Sequence, residues 1–411
     1  SILSSFQSTL PNPITLVSYV KNYRPTEDKN ILYLSYHAYE NNNRLTTRLF
    51  AYYVSPKIIE KMANEVTLTE KEIELYNQVH NKYMESVDTF NQSGGEMYIE
   101  EPVFKTLPLK AGKIYSNILE GTTMYLNSVR LGAGLPELKH DEDLSDIAQH
   151  KSALVVYINN VDDTGNESGN LHTPVIPPGV DSAFYNRAME RMSGENLYNT
   201  GVISTNPINS ITNALNDGNG DPIAAGHRYN LLDPNYTNFG IGVTELQAVH
   251  RFTGYQANNI EMFAWPSKEV TPMEGFSGGY WTAKFYNKYK PTDSSTVTVK
   301  RLNDNAEWNF TKQTTSGINR FKIGTDMVSF YNADMTAGDK YVYEVTVHNV
   351  KNLTTGENED YTYRSVFMNA YSTDDEIQDL YPSSITTNIS DYTGEVGDVQ
   401  VIDVTFGNNP A

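Results

Sequence analysis

The hydrophobic pattern of this chain changes period near Gly275–Gly279, and that change limits the folds open to it. Upstream, several stretches space their apolar residues as helices that bury one face do. Downstream, apolar residues alternate in short runs between turn residues, as in strands with one buried side. A chain of 411 residues is too long for one core, so two or three domains are expected, of α+β class.

Composition removes some partners. The formal net charge is −19, from 31 Lys and Arg against 50 Asp and Glu. A chain so charged is repelled by phosphate backbones, so no nucleic acid is expected as a partner, and no basic run offers a local exception. Anionic membrane surfaces are disfavoured for the same reason. No run of about 18 apolar residues occurs, so no integral membrane segment is expected. The absence of cysteine excludes disulfides, thiolate metal sites and a cysteine nucleophile. The first residue is Ser1 and no leader pattern opens the chain, as expected of a mature or trimmed form.

The N-terminal region is mixed. Residues Asn30–Val54 alternate around Asn41-Asn42-Asn43, which predicts a hairpin. A helix is predicted from Ser55-Pro56 and another from Thr69, with Glu72 placed for a capping box. The apolar stripe of the second runs Ile73, Tyr76, Val79, Tyr83, Val87 and Phe90, and Gly94-Gly95 ends it. Further helices are predicted over 114–133, over Asp141–Ile158, after Asp181 (carrying Phe184, Ala188 and Met192) and over Ile208–Leu215. Phe239–His250 and Asn259–Trp265 read as two strands. Beyond them, alternation at Thr296–Val299, Phe321–Ile323, Val328–Tyr331, Tyr341–Val347 and Tyr361–Phe367 predicts a β-sandwich of immunoglobulin or fibronectin type III style. Its tyrosines suit cross-strand packing, with a glycan- or protein-binding face as the alternative.

Three short motifs in the middle carry side chains capable of chemistry: Leu171-His172-Thr173-Pro174, Gly194-Glu195-Asn196-Leu197, and Gly226-His227-Arg228 running to Leu231-Leu232-Asp233-Pro234. Spacing alone does not join them, because no His-x-x-x-His or Glu-x-x-His pair is present. Each also has a plain reading: His172 in a loop, Glu195 as a surface acid after a helix end, Gly226-His227 as a helix start. Spacing identifies no partner for His140, His150, His250 or His348. Arg228 is expected to hold a carboxylate or a helix end.

The motifs together resemble a known family. Asn127-x-x-Arg130, Gly134-Leu135-Pro136, Leu138, Asp141, Leu144 and Ala148-Gln149-His150 look like the opening helix pair of bacterial CAP domains, the superfamily of cysteine-rich secretory proteins, antigen 5 and pathogenesis-related proteins. Gly-Glu-Asn-Leu at 194–197, and Gly-His-Arg at 226–228 followed by Gly240-Ile241-Gly242, look like its signatures, in the family's order. The resemblance implies an α-β-α sandwich with an open cleft lined by His172, Glu195 and His227, and a divalent metal, zinc for example, held by His172 and His227. The further glutamate of many eukaryotic members is missing from 211–218, where Asp217 is the nearby acid. On a metal, two histidines leave positions where bound water becomes more acidic. Without one, Glu195 is placed to act as a general base beside a histidine. Ser193 precedes Glu195, but no nucleophile-elbow motif surrounds it.

The organisation expected is therefore an N-terminal mixed α/β accessory region (1–110), a CAP domain (111–274) and a β-sandwich (275–411). The function implied is that of a secreted bacterial binding module, at the cell surface or outside the cell, with a host or cell-envelope protein or glycan as partner. The alternative is a metal-assisted hydrolase of peptides or phosphodiesters using His172, Glu195 and His227. Lipid carriage, known in some eukaryotic relatives, ranks below both, because no long apolar loop stands out.

Overall fold

The computed structural model describes residues 66–190, 193–199, 206–217, 223–245 and 247–371 in full, and the backbone of strands at 31–40, 43–53, 385–387 and 404–406. The chain divides into two compact units, residues 1–70 with 373–411 and residues 71–372. In the first, β1 (Ile31–Glu40) and β2 (Asn43–Tyr53) pair antiparallel, with Glu40 opposite Asn43. The strands Ile385–Thr387 and Val404–Phe406 also pair antiparallel. The helix predicted from Ser55-Pro56 lies outside the described residues, as does Met192.

The second unit opens with α1 (Glu70–Phe90), whose buried face is Glu72, Tyr76, Val79, Tyr83 and Ser86. That face is rotated from the predicted stripe because Glu72 turns inward to Arg364, whose Nε lies 2.7 Å from Oε1. A short hairpin follows, β3 (Tyr98–Glu100) with β4 (Lys113–Ile114). Then come α2 (Ser116–Gly132), β5 (Lys139–His140) and α3 (Glu142–Asn160). Asp141 caps α3 by accepting the Leu144 N–H at 3.0 Å, and all six of the predicted inward residues of α3 are buried. Asp181 likewise caps α4 (Ser182–Ala188).

The mixed sheet is completed by β6 (Gly194–Asn199), β7 (Asn238–Thr244) and β8 (Gln247–Thr253), in the order β5–β7–β8–β6. Among the described residues between β6 and β7 lie two helices, α5 (Pro207–Leu215) and α6 (Gly226–Leu231). The stretch predicted as one strand, Phe239–His250, is instead a tight hairpin in which Thr244 faces Gln247. Glu245 makes the turn at φ 49°, a conformation usually left to Gly, Asn or Asp, so no turn signal was visible.

Helix α3 crosses one face of the sheet, and the close approach explains two glycines of the Gly-Ile-Gly signature. A Cβ on Gly240 would lie 2.5 Å from the backbone of Leu144, and one on Gly242 would lie 2.2 Å from Gln149 N. Helices α2, α5 and α6 occupy the other face. Tyr125 of α2 bonds Thr212 of α5 at 2.7 Å, and the Arg130 guanidinium donates to Leu231 O and Asp233 O at the end of α6. Asn127 exchanges two hydrogen bonds with the backbone of Leu138, tying α2 to the strand that follows. The three layers are thus helix, sheet, helix.

Strands fill the rest of the unit: β9 (Met262–Trp265), β10 (Glu269–Pro272), β11 (Trp281–Phe285), β12 (Tyr289–Arg301), β13 (Ala306–Phe310), β14 (Arg320–Ile323), β15 (Met327–Tyr331), β16 (Val342–Asn352) and β17 (Asn358–Met368). They form a five-stranded sheet, β10–β17–β16–β12–β13, and a four-stranded sheet, β14–β15–β11–β9. Trp281, Phe285, Phe321 and Phe330 from one meet Val299, Phe310, Tyr343 and Phe367 from the other in one buried core. This layer starts before residue 275, the boundary expected from the period change, since β9 and β10 already belong to it. It joins the helical layer closely: a Cβ on Gly132 of α2 would lie 2.2 Å from Val270 O. Likewise α1, expected in the accessory region, belongs to the same compact unit as the sheet.

Gly242→Ala is expected to destabilise the protein by about 1–3 kcal/mol, because the added methyl meets helix backbone rather than a flexible side chain. Chemical denaturation of the two proteins reads this directly. An unchanged midpoint would mean that α3 can lift from the strand without loss.

Candidate functional site

The site grows from β6, an edge strand whose alternate side chains leave on opposite faces. Glu195 leaves toward α3 and α4. The strand register sets it opposite Arg251 of β8, and Arg251 Nη2 lies 2.6 Å from Glu195 Oε2 as a charge pair. The Arg251 side chain is 0% exposed and that of Glu195 is 4% exposed. Arg251 also donates to Ala188 O and Glu190 O at the end of α4. The other Glu195 oxygen pairs with His172 Nδ1 at 2.8 Å, and this imidazole is 44% exposed. A buried acid therefore holds a half-exposed ring from below.

Lys151 of α3 secures the same ring through its backbone. Its buried Nζ donates to His172 O at 3.0 Å and approaches Met189 Sδ at 3.3 Å. Burial lowers its pKa to about 8; the Glu195 charge acts against that shift and the Arg251 charge with it.

Asn196 and Tyr198 leave β6 on the opposite face and meet His227 in the first turn of α6. Asn196 Nδ2 donates to His227 O at 3.1 Å, and the Tyr198 ring stands edge-on to the imidazole at 5.9 Å. The His227 backbone N–H donates to Asp217 Oδ2 at 3.1 Å, and ring Nδ1 lies 3.1 Å from the same oxygen. Asp217, the acid nearest the missing glutamate, is thus the carboxylate of the second histidine. The sequence-predicted residues come together as two pairs, His172 with Glu195 and His227 with Asp217, set on the two faces of one sheet edge.

This arrangement limits a metal. Among the described residues, no group of three or more His, Asp or Glu is placed to hold one. Both oxygens of Glu195 are engaged, so it orients His172 rather than offering a ligand. On both rings Nδ1 lies beside a carboxylate, hydrogen-bonded in His172 and at ion-pair distance in His227, so Nε2 is the nitrogen turned away from the acid.

Sequence reasoning missed Arg251 and Lys151, because strand register and helix phase brought them to Glu195 and His172 and no local motif marks them. It also missed the role of His250. This ring is buried, sits 2.9 Å from Ser210 Oγ, and has its pKa lowered to about 3 by burial and then by the His227 charge. Three other histidines have structural partners: His140 bonds Ser145, His150 packs on Phe184, and His348 pairs with Asp360. Arg228 holds a helix end, donating to Leu215 O and Asp217 O.

Two stability changes follow. Arg251→Met leaves the buried Glu195 charge without its cation and is expected to cost about 3–5 kcal/mol in urea denaturation, part of which Glu195→Gln in the same chain recovers. An additive double variant would contradict the pairing. His250 stays neutral in the folded protein while its unfolded counterpart, at about 6.5, takes a proton. The unfolded state then binds more protons below pH 6.5, so stability falls as pH drops from there toward 3, by about 2 kcal/mol at pH 5. His250→Gln should flatten that part of the stability profile; an identical slope in the variant would assign the loss to other groups.

Residues 123–255 match the family model of the cysteine-rich secretory protein family, CAP. No curated protein and no solved structure matches the chain. The match covers the sheet, both histidines, Glu195 and Asp217, and ends two residues after β8. Residues 123–255 of the chain therefore form a CAP domain, similar to those of the cysteine-rich secretory protein family.

Proposed function

We propose that the protein is a secreted, extracellular or cell-surface binding module of bacterial type, whose CAP domain presents His172 and His227 at the edge of its sheet. CAP proteins are typically extracellular. No helix of the described residues is long and apolar enough to cross a membrane, and the charge of −19 disfavours polyanionic partners. The partner class of this reading is a host or cell-envelope protein or glycan, with which the net charge is compatible. The C-terminal layer serves as spacer or adhesion domain of immunoglobulin style. The orders β9–β11–β15–β14 and β13–β12–β16–β17 support that reading, since they match the ABED and C′CFG sheets of such domains.

The observation that carries the proposal is the buried Glu195–Arg251 pair beneath a half-exposed His172. A charge pair costs desolvation, and here it fixes one imidazole with Nε2 free to meet a ligand. His172 and His227 are the residues that would hold a divalent cation such as zinc, which would acidify its bound water. A metal-assisted hydrolase is the second reading, favoured by the carboxylate beside each imidazole.

Isothermal titration of zinc into the full chain at neutral pH tests the site. Saturable binding that is lost in the His172→Ala, His227→Ala double variant is the expected result. Binding unchanged in that variant, or none in the parent, would remove the metal and leave surface recognition as the function.

A further inference from the structure

The two histidines differ in what holds them. The supports of His172 are Glu195, Arg251 and Lys151, all within the helical and sheet layers of the CAP domain. The supports of His227 extend into the neighbouring β-layer. Arg228, its chain neighbour, is wholly buried and divides its guanidinium between two bodies. Nε and Nη2 donate to Leu215 O and Asp217 O, fixing the segment that carries the Asp217 carboxylate. Nη1 donates at 2.7 Å to Thr282 Oγ1 on β11.

Asn216, inside the same segment, is gripped from the same side. Its Nδ2 donates to Gly275 O at 3.0 Å, and its Oδ1 accepts the Ser277 N–H at 3.2 Å and Trp265 Nε1 at 3.4 Å. One residue beyond Arg228, the Tyr229 hydroxyl lies 2.7 Å from Met327 Sδ on β15. A planar guanidinium forms its bonds in a rigid fork, so removing one acceptor leaves a buried N–H unsatisfied and shifts the rest of the fork.

We propose that the β-sandwich positions His227 through the Thr282–Arg228 contact, so that one half of the CAP site is built on the neighbouring domain and the other half is not. Arg228 and Thr282 are positioning residues. They act through the 215–217 segment and Asp217 and touch no ligand. The inference rests on the reading of His172 and His227 as a shared site only for its effect on ligand binding, and stands apart from it for the position of His227.

The test is Thr282→Val in the full chain, with Thr282→Ser beside it. Valine keeps the shape and removes the acceptor; serine keeps the acceptor. In zinc-free protein, the imidazole Cε1–H signal of His227 should move in the valine variant while that of His172 stays, and serine should restore it. Zinc affinity should fall about tenfold with valine and return with serine. If valine prevents folding, Tyr229→Phe loosens the same helix without stranding a buried cation, and the same shift of His227 alone is expected. An unmoved His227, both histidines moving together, or no restoration by serine would overturn the proposal. Absence of zinc binding in every protein, with His227 still moving, would overturn the metal reading and leave this one standing.

Discussion

Three buried guanidinium groups hold this site in shape. Arg130 grips Pro136 O, Leu231 O and Asp233 O; Arg228 grips Leu215 O, Asp217 O and Thr282; Arg251 grips Ala188 O, Glu190 O and the Glu195 carboxylate. Each sits where a helix ends or a loop begins, and backbone carbonyls there have no helical partner. Burial lowers the pKa of Arg130 and of Arg228 to about 10, so both remain cations at neutral pH. The desolvation cost of each is offset by several charge-assisted bonds in one plane. Removing the cations would free the loop of Asp217 and the end of α4 together.

The edge strand β6 then decides what the site can do. Its period of two sends Glu195 to one face and Asn196 and Tyr198 to the other, so the two histidines reach the edge from opposite sides. Each has its own carboxylate, which explains why Glu195 is no shared ligand.

Much of the fold was legible. The Asp141 cap and the inward face of α3 were marked by local chemistry, as was the antiparallel pairing of β1 with β2. The CAP signatures were legible as motifs, although part of their physics is long-range: Gly240 and Gly242 make room for the distant helix α3, while Asn127 and Arg130 hold the loop just beyond α2. What stayed hidden depended on register or on distant packing. Arg251 is meaningful only opposite Glu195, Thr282 only against Arg228, and the Glu245 turn only once β7 and β8 are paired. The rotated face of α1 has the same origin, since Glu72 turns inward for an arginine 292 positions away.

The most direct test of the account is the protonation pattern of the two rings, read by nitrogen NMR of selectively labelled histidine in the full chain at neutral pH. The account predicts that His172 and His227 both carry their proton on Nδ1, facing Glu195 and Asp217, with Nε2 bare. Protons on Nε2 in both rings would contradict it, because neither carboxylate would then be orienting its histidine.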